Sequence, residues 1–115
     1  MNKPTDEQRK WFWEQCGIEE RFESDTGTWY SHYPDGQCDI ESPSIDLNNL
    51  FKYAVPKLVI EEISFMFASN AVSCDIEIDG EFYEGHVNVD SFKEAQQYSN
   101  LALFWAIYKA FGGTE

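Results

Sequence analysis

Positive charge is what this chain has least of. Eight Lys and Arg stand against 21 Asp and Glu in 115 residues, a formal net charge of -13. Between Lys57 and Lys93 there is no basic side chain, yet eight carboxylates: Glu61, Glu62, Asp75, Glu77, Asp79, Glu81, Glu84 and Asp90. Such a surface repels phosphate backbones and anionic lipid, so neither direct nucleic-acid binding nor membrane binding is expected. It attracts a protein with a basic surface, through a field screened beyond about 8 Å at physiological salt.

Other absences narrow the field further. The longest apolar run, Leu101 to Ile107, falls far short of the roughly 20 residues a bilayer needs. The first six residues carry no apolar core of a signal peptide. Cys16, Cys38 and Cys74 form no CxxC pair and are odd in number, which favours reduced thiols over a disulfide framework. The expected location is the cytoplasm. Each cysteine reads as a small apolar core residue rather than a nucleophile. The only histidines are His32 and His86, and no HxH, HExxH, GxSxG, P-loop or dinucleotide pattern occurs. No cofactor and no enzymatic activity are expected.

What is present is aromatic and apolar: 43% hydrophobic residues, 17% aromatic. Disordered acidic chains are poor in aromatics, so a packed core is expected. The length suits a single domain, residues 1–115. Thr5-Asp6-Glu7-Gln8 is a capping box that opens a helix ending at Gly17. Tyr33-Pro34-Asp35-Gly36 predicts a turn, with Trp29, Tyr30 and Tyr33 before it and Cys38 and Ile40 after it as a β-hairpin. Leu47, Leu50, Phe51 and Ala54 fall at i, i+3, i+4 and i+7, a helical stripe that Pro56 ends.

Apolar residues alternate in Ile63–Phe67 and again in Val72–Ile78, and Asp79-Gly80 is a two-residue hairpin turn of type I′. That turn sets Ile76 opposite Tyr83, Cys74 opposite Gly85 and Val72 opposite Val87, all on one face. Ser91 and Glu94 cap a last helical region, with a possible break at Asn100. Leu101, Phe104, Trp105, Tyr108 and Phe111 line one face of its helix and read as core. The fold class is α+β: a small antiparallel sheet layered with helices, α-β-α sandwich-like, in the order α-β-β-α-β-β-β-α.

On the polar sheet face the same register places Asp75 opposite Glu84 and Ser73 opposite His86, with Glu77 two residues along. Opposed carboxylates repel, and a cation between them would relieve the repulsion, so Asp75, Glu84 and His86 are the one candidate metal set. The plainer reading leaves both acids in water with no metal. Exposed aromatics on the first hairpin, Trp29 and Tyr30, with His32, are the second candidate contact.

Ser44-Ile45-Asp46-Leu47-Asn48-Asn49-Leu50-Phe51, the strands of Glu62 to Val89, and Asn100-Leu101-Ala102-Leu103-Phe104-Trp105-Ala106-Ile107 follow an order that resembles the phage ABA-sandwich domain family. The resemblance covers roughly residues 44 to 111. It implies a sheet layered between helices and an origin in a phage or prophage, hence the cytoplasm of a host cell, and it brings no active site. The expected function is a non-enzymatic accessory protein. Its acidic face, Asp75, Glu77 and Glu84 with Trp29, Tyr30 and His32, would dock a basic nucleic-acid-binding defence protein, as anti-CRISPR and DNA-mimic proteins do. A phage assembly component and a metal-binding protein are the alternatives.

Overall fold

The computed structural model describes residues 3–114; Met1, Asn2 and Glu115 lie outside that range. It is an α+β chain with two antiparallel three-stranded sheets, where a single sheet was expected. The sheets belong to two compact units, one spanning Pro4–Ser44 and the other beginning at Ile45.

The first unit opens with helix α1, Asp6–Gln15. Thr5 Oγ1 accepts from the Gln8 N–H at 3.1 Å and Gln8 Oε1 accepts from the Thr5 N–H at 2.8 Å, so the capping box forms. Gly17 ends the helix with φ 87°, a conformation that costs glycine nothing. Phe12, Trp13 and Cys16 are buried.

The expected hairpin is two-thirds of a sheet. Strands β1 (Glu19–Glu23), β2 (Thr28–His32) and β3 (Cys38–Asp39) pair in that order. The extra strand follows from a turn with a signal of its own: the Gly27 N–H donates to the Glu23 carbonyl at 2.8 Å, with Gly27 at φ 70°. The second turn forms as expected, the Gly36 N–H donating to the Tyr33 carbonyl at 3.0 Å. Ile40, expected inside this hairpin, is exposed. Cys38 is exposed too. The expectation that it is a core residue is overturned, because β3 is a two-residue edge strand with no layer over its side chain.

In the second unit, Asp46 caps a short helix α2, Leu47–Asn49, which runs into a π-helical turn, Leu50–Ala54, and a 3₁₀ turn, Val55–Lys57. The Val55 N–H reaches back five residues to the Leu50 carbonyl. Pro56 has no N–H to continue an α ladder and its ring crowds the carbonyl four back, so the chain ahead of it closes through the wider bond. The predicted stripe splits in consequence. Leu50 and Ala54 are fully buried, whereas Leu47 and Phe51 are 37% and 46% exposed.

Strands β4 (Glu62–Phe67), β5 (Ala71–Ile78) and β6 (Glu81–Asn88) form the second sheet. The Asp79-Gly80 turn has φ 54° and 81°, the two positive values that type I′ requires. The register is the expected one: Ile76 pairs with Tyr83, Cys74 with Gly85, Val72 with Val87. Two helices follow instead of one, α3 (Phe92–Gln97) and α4 (Ser99–Ala110). The break falls at Tyr98, and Asn100 is inside α4, where its Nδ2 donates to the Ile45 carbonyl at 2.6 Å.

Every residue of α4 from Leu101 to Tyr108 is buried. Helix and sheet meet backbone to backbone at Gly85: a Cβ there would lie 1.8 Å from the Ala102 carbonyl oxygen. That approach lets Val72, Cys74, Ile76 and Val87 reach full burial under the helix. The other sheet face is turned away from the helix.

Candidate protein-binding face

Strand alternation turns Glu62, Ser64 and Met66 of β4 away from the core, with Ser73, Asp75 and Glu77 of β5 and Phe82, Glu84 and His86 of β6. Pairing aligns them in rows. Glu62, Glu77 and Phe82 stand abreast; Ser64, Asp75 and Glu84 form the next row; Met66, Ser73 and His86 the third. Four carboxylates therefore occupy two adjacent rows, with strands about 4.8 Å apart and same-face neighbours about 6.5–7 Å apart. No Lys or Arg belongs to any of these strands. Among the described residues none of the four carboxylates is in an ion pair.

Two large apolar side chains frame the acid. Met66 is 70% and Phe82 68% exposed. Asp75 also acts through the sheet: burial first, then the Asp75 charge, pushes the Cys74 thiol up to about 12. The face can accept hydrogen bonds and positive charge.

The structure brings Asp75, Glu77 and Glu84 together as expected and adds Glu62, Met66 and Phe82. The signal for Glu62 and Met66 was present in the alternation of Ile63, Phe65 and Phe67, but nothing in the sequence fixed the β4–β5 register; Phe82 follows from the Asp79-Gly80 turn, whose register sets it opposite Glu77. The Ser69-Asn70 connection lacks the glycine that dates a turn type, although the Ala68 N–H donates to the Ala71 carbonyl at 2.9 Å and closes it. Asp75, Glu84 and His86 do not form a metal group. His86 lies a row away, its Nε2 3.1 Å from Asn88 Oδ1, and among the described residues no three His, Cys, Asp or Glu converge as ligands.

Trp29, Tyr30 and His32 belong to the other unit, and strand alternation divides them. Trp29 is 57% exposed and packs edge-on against Phe22, with centroids 5.6 Å apart. Tyr30 and His32 take the opposite face of β2. His32 has partners that sequence reasoning missed. Its Nδ1 lies 3.1 Å from Cys38 Sγ, and its Nε2 3.1 Å from Glu23 Oε1.

Comparison of the chain with family models, with curated proteins and with solved structures found no match.

Proposed function

We propose that the open face of β4–β5–β6 is a non-enzymatic docking surface for a basic protein, occupying there the place that nucleic acid takes. The observation that carries this reading is the pair of adjacent rows holding Glu62, Glu77, Asp75 and Glu84, with no cation among them and with exposed Met66 and Phe82 at their margins. Carboxylates on a strand lattice approximate the pitch of phosphates and can replace their counterion-releasing contacts. Met66 and Phe82 supply the apolar contact that a purely ionic surface lacks. The reading extends to a phage or prophage accessory protein whose target is a nucleic-acid-binding defence protein of the host. Assembly of copies through this same face is disfavoured, since it would set carboxylate against carboxylate.

The test is a titration against a panel of basic nucleases at rising salt, with and without duplex DNA. Binding should weaken with salt and be displaced by DNA. Reversal of charge in Asp75→Lys with Glu84→Lys should weaken it at least about tenfold, while Glu7→Lys on α1 leaves it nearly unchanged. Absence of binding at every salt concentration, or indifference to the double reversal, rules the reading out.

A further inference from the structure

His32 and Cys38 are directly opposed across β2 and β3, at the neck of the Tyr33–Gln37 turn. That turn is closed by the Tyr33 N–H donating to the Gln37 carbonyl at 2.9 Å. The pairing places Cys38 Sγ 3.1 Å from His32 Nδ1. The other ring nitrogen is shut off from solvent and faces Glu23 Oε1 at 3.1 Å, an ion-pair approach outside hydrogen-bond alignment. The imidazole thus stands between a thiol and a carboxylate, each on its own nitrogen. A nucleophile within reach of a base, with the base oriented by a third group, is the arrangement that activates cysteine. Cys38 is exposed while Cys16 and Cys74 are buried, and His32 lines a recess of about 300 Å³ with Arg21, Tyr33 and Gln37.

We infer that Cys38, His32 and Glu23 form a thiol-modification site that undergoes exchange with a small disulfide bearing positive charge. In the reaction, His32 Nδ1 takes the Cys38 proton as sulfur attacks one sulfur of the disulfide. A Cys38 mixed disulfide forms, the original S–S bond breaks, and the departing thiolate leaves with its electron pair and recovers the proton from His32. Cys38 is oxidised and half of the reagent is reduced to a thiol. Glu23 is a positioning residue that holds the ring and stabilises its transient charge.

Two observations select this chemistry. Acyl transfer requires a set of free N–H donors for an oxyanion, and three of the turn's are engaged: Tyr33 and Gly36 within the backbone, Gln37 with Asp35 Oδ1 at 3.0 Å. Exchange between sulfurs needs no such donors. The charge preference follows from the surroundings. Pro4–Ser44 carries ten carboxylates against three cations, and two of those cations, Arg9 and Arg21, are paired with Asp6 and Glu19. This inference is independent of the acidic sheet face.

The test uses the reduced full-length chain with cystamine, a dicationic disulfide, and in parallel with anionic oxidised glutathione, following adducts by mass. A single early adduct should map to Cys38 and vanish in Cys38→Ser. Cystamine should react at least about tenfold faster than oxidised glutathione at low salt, with the gap closing as salt rises. His32→Gln should slow the cystamine reaction at least about tenfold. Glu23→Gln should slow it less, and should add nothing in the His32→Gln background, which a merely structural role for Glu23 would not produce. A Cys38 rate no higher than in the same chain unfolded in denaturant overturns the inference, and needs no variant to fold. So does a His32→Gln rate equal to the wild-type rate.

Discussion

A single residue pair links the two faces of the second sheet. Cys74 is fully buried under α4 while its neighbour Asp75 points into the acidic rows. Burial, reinforced by the Asp75 charge, raises the thiol from its ordinary 9.0 to about 12. Below the lower value both folded and unfolded chains keep the proton. Between the two values the unfolded chain loses it and the folded chain does not, so the unfolded state binds fewer protons and stability falls as pH rises. The loss from this group amounts to a few kcal/mol at most. Urea midpoints measured from about pH 8.5 to about pH 10.5 should fall more steeply for wild type than for Cys74→Ala. Equal slopes would assign the alkaline loss to other groups. The same burial protects Cys74 from alkylation, which leaves Cys38 as the exposed thiol of the chain.

Among the elements, the segment before Pro56 separates what a periodic reading can see from what it cannot. By α-helical count Leu50 and Phe51 belong to one core stripe, but the i+5 bond from Val55 to Leu50 turns Phe51 outward and keeps Leu50 at 0% exposure. Leu50→Ala should therefore cost about 2–5 kcal/mol, and Phe51→Ala under about 1 kcal/mol. Denaturant melts check both; comparable losses would mean that the α-helical count holds. The elements that were legible are those whose signals are local and chemical. The Thr5–Gln8 box, the Asp79-Gly80 turn and the alternation of Val72 to Ile78 each specify a geometry within a few residues. They sufficed to place Asp75, Glu77 and Glu84 on one face. What escaped depends on distant partners. Strand β1 is composed of Glu-Glu-Arg-Phe-Glu, with no alternation to announce it. The Cys38–His32–Glu23 contact needs all three strands in register, and no spacing along the chain encodes that.

Across the whole molecule, basic residues gather on helical segments and the second sheet carries acid alone. Arg9, Lys10, Lys52, Lys57, Lys93 and Lys109 all lie in helical segments, whereas β4, β5 and β6 bear Glu62, Asp75, Glu77, Glu81 and Glu84 with no cation. Repulsion within that sheet costs folding free energy that packing under α4 must offset. Raising sodium chloride from about 20 mM to about 200 mM shortens the screening length severalfold and should raise the melting temperature by several degrees. A flat or falling melting temperature would show that the carboxylates are too well hydrated to strain the sheet. None of the helices is long and apolar enough to cross a membrane, among the described residues.

The missing side chain at Gly85 acts as a key. Slipping β6 by one residue inverts its faces and is refused by the hydrophobic pattern. Slipping it by two preserves the faces, and the pattern alone would permit it. That slip would bring Tyr83 or Val87 to the place where even a methyl group would meet the Ala102 carbonyl at 1.8 Å. Only one alignment fits the lock, and it is the one that sets Glu84 beside Asp75. The spacing of charge on the outer surface is thus dictated by an atom that is absent from the inner one.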